Sequence, residues 1–399
     1  MKRFRHVVAP IAMSCIPLAV PMSAWGALGA RPDSYSPLLM GMGGASIANP
    51  VDTISGAENP ANLSKVGNRF DLATLLLTTD QNNTYLSPNN QLSGLKFFAI
   101  PSGGVNFQYD SKTTFGVVVS GEGAGGLYNQ SSVPVPGLSH STTIFVANFI
   151  SPTVTRKLTD NLAVGLSLNL VSAAFLARGV AVPNGQPIAP DLSSGFSQLP
   201  GHGMRFAYGV GFRLGVLWDV LPTLSVGASY TSKTALSRFS GYNRDVLASN
   251  DGRGDLPEEY GVGVSWRPIP ALMLAADYLR INWGNTRIFG NPESFGYRNI
   301  NAGRFGAAYD INNRWTVRAG YMVSGQWSDS AHTMTNVLGP VTQNRSITGG
   351  FTYHIDKKQD ISFSFDYGLP NKVYGTGPST GTNLDTSINF YALQYSRKF

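Results

Sequence analysis

Three glycines have the spacing of a dinucleotide-binding loop. Gly121, Gly123 and Gly126 lie in the stretch GEGAGG and satisfy the pattern G-x-G-x-x-G. Such a loop holds a phosphate group only where it joins a buried parallel strand to an amphipathic helix. The residues that follow, LYNQSSVPVPG, carry no amphipathic helical pattern. The sequence therefore favours a glycine-rich strand end over a nucleotide site, and we expect no cofactor.

Histidines could support acid–base or metal chemistry. Beyond the N-terminal leader they are His140, His202, His332 and His354. None has metal-ligand spacing to another histidine or a carboxylate, so we expect no bound metal. A hydrolase would have to pair His140 with Ser139 or Ser141. Adjacent residues on a strand point to opposite faces and do not readily share a proton, so we expect no catalytic residues and no enzyme.

The N-terminus has the composition of a secretory signal peptide. Lys2, Arg3 and Arg5 precede an apolar run over residues 7–20, and small residues follow at 24–29. This pattern predicts a signal peptide over residues 1–26, with cleavage between positions 24 and 29. Cys15 is the only cysteine of the chain and lies in the leader, so the mature chain has no disulfide framework. A lipoprotein signal at Cys15 is an alternative, but no branched apolar residue stands three positions before it.

Charge and hydropathy exclude other classes of protein. Only 13% of residues are charged, and the net charge of +7 includes three cations of the leader. The remaining charge is small and scattered, so we expect no nucleic-acid partner. Beyond the leader no apolar run reaches 18 residues, which argues against a transmembrane helix.

The rest of the chain alternates apolar and small or polar residues with a period of two. Clear examples span residues 162–170, 260–267, 315–321 and 361–367. This period is that of β-strands with one apolar face. Arg267, Arg318 and Lys398 fall on the small or polar face, and Asp277 and Asp366 lie in strands that could also present them inward. They either form ion pairs within the barrel described next or recognise a ligand.

Connection lengths distinguish a barrel from a soluble sandwich. Tight polar turns occur at 110–112, 158–161, 219–223, 267–271, 310–313 and 356–360. Long Gly/Ser/Pro/Asn-rich stretches lie between them, near 80–93, 121–139, 178–202, 233–256, 284–299, 324–343 and 368–386. Short turns on one rim and long loops on the other are typical of outer-membrane barrels. The count predicts an all-β fold, an antiparallel transmembrane barrel of about fourteen strands over residues 69–399.

The last strand, SINFYALQYSRKF, ends on Phe399. A terminal strand that ends on phenylalanine resembles the assembly signal of bacterial outer-membrane proteins. We therefore expect a multi-pass barrel in the outer membrane of a Gram-negative cell. Its expected partners are the barrel-assembly machinery, through Phe399, and outer-membrane lipid. We expect the barrel to be a monomer.

The stretch MGMGGASIANPVDTISGAENPANLSK precedes the first strand. A G-x-G-G-A segment, then an acidic residue, then Asn-Pro-Ala resembles the plug of the FadL/TodX family of outer-membrane transporters. The matching residues are Gly41, Gly43, Gly44, Ala45, Asp52, Asn59, Pro60 and Ala61. Further similar pieces are DLPEEYGVGVSWRP, LAADYLRINW and RWTVRAGY, so the resemblance runs from about residue 36 to Phe399. It implies a hatch over residues 27–68 that plugs the barrel lumen.

The resemblance implies passive uptake of hydrophobic compounds, of which long-chain fatty acids are the expected substrate and aromatic hydrocarbons the other family substrate. Outer loops would capture the ligand, the lumen would bind it, the hatch would move, and the ligand would leave sideways into the membrane. Capture candidates are Val180, Val182, Ile188, Leu192, Phe196, Leu199 and Leu247, with Arg178 and Arg318 as further substrate-binding candidates. Arg178 lies close to the position of an arginine that the family uses near a bound carboxylate.

A lateral exit requires an interrupted strand ladder. Candidates are Pro101, Gly103 and Gly104 in one predicted strand, and Gly121 and Gly123 at the end of the next, because proline removes a backbone donor and glycine weakens a strand. The alternatives are a general diffusion porin for small polar solutes and, less favoured, an outer-membrane hydrolase. The sequence does not decide which apolar compound is carried, because the shape of the lumen sets that choice.

Overall fold

The computed structural model describes residues 28–138 and 140–399. The predicted signal peptide over residues 1–26 and Ser139 lie outside the described residues. None of the helices in the described ranges is long and apolar enough to cross a membrane.

Strands make up most of the described chain. They are β1 (Arg69–Thr84), β2 (Gln91–Gln108), β3 (Thr113–Leu127), β4 (Thr142–Lys157), β5 (Leu162–Arg178), β6 (Ala181–Pro183), β7 (Phe196–Gln198), β8 (Arg205–Leu221), β9 (Leu224–Thr231), β10 (Thr234–Arg238), β11 (Arg253–Leu256), β12 (Glu259–Ile269), β13 (Leu272–Ile281), β14 (Ile300–Asn312), β15 (Trp315–Ser324), β16 (Arg345–His354), β17 (Gln359–Gly368), β18 (Lys372–Val373) and β19 (Leu384–Lys398).

Helices are short. The α-helices are α1 (Pro37–Met40), α2 (Leu63–Val66) and α3 (Thr333–Asn336), and the 3-10 turns are Ile54–Ala57, Pro60–Asn62, Tyr242–Arg244, Ala248–Asn250, Trp283–Asn285, Ser330–His332 and Gly377–Ser379. Those before β1 belong to the N-terminal segment, and the others lie in loops.

The strands close into an antiparallel barrel. Each wall strand pairs with the next, and β19 pairs with β1 from Arg69↔Lys398 to Gln81↔Thr386. Within the described residues the wall has fourteen strands, since β9 with β10 and β11 with β12 are each one interrupted strand, while β6, β7 and β18 lie outside the wall. The predicted fold is therefore confirmed. Closure removes the sheet edges that hydrocarbon would not tolerate.

Side chains alternate between lipid and lumen as the sequence pattern predicts. On β8 the outward positions carry Val210, Phe212, Leu214, Val216 and Trp218, all of them exposed. Buried polar residues such as Ser167 and Asn169 occupy the inward positions of β5. An apolar exterior around a polar interior is the pattern of an outer-membrane barrel.

The six predicted tight turns lie between neighbouring strands on one rim, and long connections occupy the other rim. Several predicted loops are wrong in part. The 233–256 stretch begins and ends in the wall segments β10 and β11. β1 continues to Thr84, because Gln81 and Asn83 point inward and hydrogen bond to Gly125 and Tyr128. The 121–139 stretch is also strand as far as Leu127, because Gly121–Leu127 stay paired with β4 throughout.

Residues 28–67 lie inside the barrel, and we call this segment the hatch. Nearly every residue of it is buried. Gly43 shows why the segment is glycine-rich: its φ of +66° is left-handed, and a Cβ there would stand 2.6 Å from the carbonyl oxygens of Phe305 and Tyr321. A side chain at this position would therefore meet the barrel wall.

Asn59, Pro60 and Ala61 form the corner before β1. The Asn59 amide donates to the carbonyls of Ile47 and Val216, and its oxygen accepts from the Ala61 amide at 3.0 Å. Pro60 begins a 3-10 turn, where its missing N–H costs nothing. The corner therefore connects two parts of the hatch to each other and connects the hatch to β8 of the wall.

Replacing Gly43 by alanine should displace the hatch and leave the barrel folded. A left-handed φ costs a non-glycine residue roughly 1–2 kcal/mol, and at Gly43 the clash with β14 and β15 adds to it. Gly185→Ala is the matched control, since Gly185 lies outside the hatch, has a φ of +81° and has no atom within 4 Å of the added Cβ. Hydrogen exchange of residues 36–62 should show much faster exchange in Gly43→Ala than in Gly185→Ala. Equal exchange in both variants would mean that the close approach to the wall does not hold the hatch.

Candidate functional site

A buried ion-pair network fixes the hatch to the wall. Glu58 of the hatch accepts from Arg31 at 2.5 Å and from Arg304 of β14 at 3.3 Å. Arg31 also approaches Glu259 of β12 at 3.2 Å. Burial by itself raises the pKa of Glu58, but Arg31 and Arg304 outweigh it and lower that pKa to about 2. Removing one partner of a buried pair costs about 3–5 kcal/mol, so this network is a strong attachment.

Asp52 makes a second attachment. Its carboxylate accepts from Ser36 Oγ at 2.5 Å, from the Ser55 amide at 2.8 Å and from Gln394 Nε2 of β19 at 3.1 Å. Burial and the neighbouring carboxylate of Asp71 raise the pKa of Asp52 to about 6. The hatch is therefore held by one group that is ionised at neutral pH and one that titrates near it.

An aromatic pocket lies on the outer side of the hatch. Phe289 is its centre: its ring is 5.0 Å from that of Phe145, 5.5 Å from Trp283 and 5.4 Å from Tyr297. The other residues that line it are Ala124, Thr143, Phe175, Phe239, Leu247, Gly254, Ile288, Phe295, Leu338 and Gly339. No charged side chain lines the pocket in the described part of the chain, so it suits an uncharged apolar ligand.

Side chains fill almost all of the aromatic pocket. Its free volume is about 20 Å³, whereas a dry cavity that binds benzene in another protein measures about 150 Å³. The hatch lies directly beside it, because the Trp283 indole donates to the carbonyl of Leu28 at 3.0 Å. A ligand of benzene size therefore requires movement of these rings or of the hatch.

The barrel wall has a gap between β2 and β3. The two strands pair only from Gly103↔Val119 to Gln108↔Thr114, although β2 remains paired with β1 along its whole length. Beyond Val119, residues 120–126 of β3 are all buried, because the strand bends into the lumen. The wall meets again at its outer end, where the Asn129 amide donates to the carbonyl of Ser93.

The gap, the pocket and the hatch are continuous. Ala124 of the inward segment lines the aromatic pocket, and a Cβ on Gly121 would stand 3.2 Å from Ile100 across the gap. The Gly123 amide donates to the carbonyl of Ala30, and the Tyr35 hydroxyl donates to Glu122 at 2.8 Å. The hatch thus holds the segment of β3 that forms the inner side of the gap.

The residues predicted for the gap lie on both sides of its start. Gly103 and Gly104 are in the last paired stretch of β2, and Pro101 is just beyond it. Gly121 and Gly123 lie in the inward segment of β3. These residues lie where the pairing of β2 with β3 ends, and their part in a lateral exit stays a prediction.

The predicted capture residues separate into two places. Val180, Val182 and Leu199 line an outer groove of about 520 Å³ between the loops, next to Tyr85, Arg244 and Met334. Leu247 instead lines the aromatic pocket. Phe196 packs against the same apolar core, Leu192 is buried and Ile188 is exposed.

The two predicted arginines lie apart from the pocket. Arg178 ends β5 and lines a separate polar cavity of about 300 Å³ with His140 and Gln198. Arg318 of β15 faces a cavity on the opposite rim, among the tight turns. A hydrolase would pair Ser141 with His140. Ser141 Oγ is hydrogen bonded to Ser132 Oγ at 2.7 Å, so that hydroxyl has a partner other than His140.

Sequence reasoning missed the aromatic pocket. Its rings come from two strands and two loops far apart in the chain, and the local strand period that guided the prediction does not show that they meet. One signal was available: Trp283, Phe289, Phe295 and Tyr297 occur within a single long loop, where exposed aromatics would be costly. Their density indicated a buried cluster.

The closed barrel, its internal hatch and an apolar pocket beside a wall gap define a plugged outer-membrane transport barrel. The chain belongs to the family of outer membrane protein transport proteins (OMPP1/FadL/TodX), whose model matches residues 26–399. This confirms the resemblance and the outer-membrane location in a Gram-negative cell. The family transports apolar small molecules. A comparison with curated protein sequences finds no significant match.

Solved structures of similar fold include the P. putida toluene transporter TodX, at 21% identity and a TM-score of 0.71, and the Ralstonia pickettii toluene transporter TbuX, at 21% and 0.67. Each comparison covers 92% of this chain and 99% of the other. A Pseudomonas aeruginosa FadL homologue is 14% identical, with a TM-score of 0.62, covering 95% of this chain and 99% of that one. At these identities the likeness concerns the fold.

Asp52 should make hatch attachment depend on pH. Because its pKa in the folded protein is raised, the protonated form is favoured when the hatch is docked, and this stability is lost as pH rises from about 4 through about 6. Between pH 5 and pH 7 the loss should be about 1 kcal/mol. Hydrogen exchange of residues 36–62, corrected for intrinsic rates, should be slower at pH 5.

Asp52→Asn should reduce this dependence by about 1 kcal/mol between pH 5 and pH 7, and Asp356→Asn in an exposed turn should leave it unchanged. Asp277 and Glu122 also bond to the hatch through buried carboxylates, so part of the dependence should remain in Asp52→Asn. If Asp52→Asn retained the wild-type pH profile, another group would be responsible.

Proposed function

We propose that this barrel admits compact aromatic hydrocarbons across the outer membrane without an energy source. The observation that supports this most is the uncharged aromatic pocket beside the gap between β2 and β3. Burying apolar groups is worth roughly 0.8 kcal/mol per methylene, so an apolar solute leaves water for such a pocket spontaneously. The membrane interior is a still larger apolar phase and draws the solute onward.

The path runs from the outer groove to the pocket and then to the gap. Val180, Val182 and Leu199 collect the ligand between the loops. The rings around Phe289 receive it, and a shift of the hatch at Leu28 and Ala30 frees Trp283 and the inward segment of β3. The ligand then passes Ala124 and Gly121 into outer-membrane lipid. Each step transfers the solute between apolar surfaces.

Aromatic hydrocarbons fit this pocket better than the long-chain fatty acids expected from the sequence. A fatty acid needs a long groove and a partner for its carboxylate. Arg178 lines a different cavity, and no cation lines the pocket among the described residues. Rings also gain about 0.5–1.5 kcal/mol per well-oriented aromatic pair beyond area burial. The names of two structural neighbours, a toluene transporter and a monoaromatic hydrocarbon channel, agree with this choice.

A diffusion porin for polar solutes is the weaker alternative. The buried hatch fills the lumen where a porin has water, and Glu58, Arg31 and Arg304 hold it there. As further proposals, the barrel acts as a monomer and not as an enzyme, and Phe399, exposed at the end of β19, serves recognition by the assembly machinery.

Phe289 should make uptake selective for aromatic hydrocarbons over aliphatic ones. Phe289→Leu keeps the pocket apolar but removes the ring contacts to Phe145, Trp283 and Tyr297. In cells that lack other transporters of this kind, the apparent affinity for labelled toluene should fall roughly three- to tenfold, while octane uptake changes little. The control is Phe212→Leu, whose ring faces lipid.

Excess oleate should leave toluene uptake intact, and sucrose should not cross in a liposome swelling assay. Competition by oleate would favour fatty acids, and rapid sucrose flux would favour a porin.

A bulky residue at Gly121 should close the exit. Gly121→Phe places a ring between β3 and Ile100 of β2, so uptake of toluene and octane should both fall at least tenfold. Val119→Phe is the matched control, because Val119 lies two positions away but faces lipid beside a paired stretch. Undiminished uptake by Gly121→Phe would place the exit elsewhere.

A further inference from the structure

A large cavity opens at the rim of the barrel that carries the tight turns, on the side of the hatch away from the aromatic pocket. Its volume is about 980 Å³. The turns after β12, β14 and β16 and the ends of β1 and β19 surround it, and Leu38, Met42, Pro50 and Val51 of the hatch form its floor. We call it the turn-side cavity. The transport path proposed above does not pass through it.

Cations exceed anions in this cavity. Its basic residues are Arg69, Arg267, Arg314, Arg318, Lys357 and Lys398, and its acidic residues are Asp310, Asp356 and Asp360, with His354 also present. Arg69 is paired with Asp71 at 2.6 Å. Within the described residues, the other five cations have no carboxylate within 4 Å. The cavity therefore attracts anions.

Arg318 is a half-buried cation in the wall of the cavity. Its Nη1 donates to Thr352 Oγ1 at 2.7 Å, whereas its Nε is buried without a hydrogen-bond partner among the described residues. An unpartnered buried donor of a charged group costs more than a neutral one. Thr352 therefore satisfies only one of the nitrogens of Arg318, and Nη2 has no hydrogen bond to a protein group among the described residues.

The carboxylates whose charges act most strongly on Arg318 are those of Asp52, Asp310 and Asp360. Each of them is hydrogen bonded to other groups. Asp52 bonds to Ser36, Ser55 and Gln394. Asp310 accepts from Thr316 Oγ1 at 2.6 Å, and Asp360 is 2.6 Å from His354 Nδ1. Arg318 therefore has no carboxylate partner in the part of the chain that the structure describes.

The surface next to Arg318 is apolar. A Cβ on Gly41 of the hatch would stand 3.4 Å from Arg318 Cβ, and Leu38, Met42, Met273 and Ala308 line the same cavity. Met42 and Met273 belong to one packed cluster, against which Ala308 also packs. A charged fork beside an apolar floor matches a molecule with a carboxylate at one end and a short apolar body.

We propose that the turn-side cavity is a binding site for a small organic carboxylate. The carboxylate binds the two Nη atoms of Arg318 in one of the bidentate geometries that arginine favours, and the apolar body lies against Leu38, Met42 and Met273. Arg267 and Lys398 add attraction at the mouth of the cavity. Because the occupant contacts both hatch and wall, its binding stabilises the docked hatch by mass action.

The test uses 4-fluorobenzoate as the probe and ¹⁹F NMR with the purified full-length barrel in detergent, at pH 7 and with excess toluene to fill the aromatic pocket. The expected result is saturable binding of 4-fluorobenzoate that exceeds that of the neutral 4-fluorobenzyl alcohol at least tenfold. Arg318→Gln should lower the affinity at least tenfold, and Arg318→Lys severalfold, because lysine cannot form the bidentate pair. Arg314→Gln, on the rim of the same cavity, is the matched control and should have little effect.

Heat-modifiable migration on electrophoresis confirms that each variant is folded, and Arg318→Lys decides the matter if Arg318→Gln does not fold. Absence of saturable binding, equal binding of the alcohol, or unchanged affinity in the Arg318 variants would overturn the proposal. Inorganic phosphate is the competing anion, and binding as tight as that of fluorobenzoate would overturn the organic carboxylate as its ligand. The outcome is independent of toluene uptake, so either proposal can fail alone.

Discussion

Hydrocarbon offers no hydrogen bonds, and this constraint governs the whole molecule. Every backbone group in the membrane must find a protein partner, which explains why the barrel closes through the pairing of β1 with β19. The gap between β2 and β3 is compatible with this constraint because the freed part of β3 bends inward. There its residues stay paired with β4, and the Gly123 amide reaches the carbonyl of Ala30 in the hatch. An opening in the wall thus depends on a plug inside it.

The plug in turn depends on charges that water does not reach. Glu58 between Arg31 and Arg304 is costly to break, whereas Asp52 beside Asp71 is held against repulsion. Pairs between hatch and wall such as Glu58 with Arg304 oppose movement of the hatch, whereas a buried carboxylate beside another carboxylate holds it less firmly. The two kinds of contact lie on one short segment, close to Trp283 and to the inward part of β3. Displacing the segment therefore affects the pocket and the gap together.

The pieces of the fold that could be read from the sequence are those set by local rules. Period-two alternation, tight turns such as 158–161 and the terminal Phe399 predicted the number of strands and the membrane. Errors arose where polar or glycine-rich stretches continue a strand. Gln81 and Asn83 read as loop residues, but the lumen supplies their hydrogen-bond partners. Composition alone does not reveal partners supplied by distant strands.

The candidate sites show the same division. Gly103, Gly104 and Gly121 were identified as weak points because glycine and proline weaken a ladder locally. Phe145, Phe175, Phe239 and Phe289 were missed, since their meeting depends on loops that fold over the barrel mouth. Arg318 was predicted to bind substrate because it lies on the inward face of its strand. The alternation along a strand tells which face a residue occupies, but not how far along the barrel axis it lies.

The sequence by itself determined the class of the fold and the membrane that holds it, because these follow from periodicity and from residues a few positions apart. Only the tertiary structure decided where the ladder opens, which rings form the pocket and which charges hold the hatch. Those features join residues more than 200 positions apart, such as Arg304 with Glu58 and Trp283 with Leu28. Their contacts exist only once barrel closure has brought both sides of the lumen together.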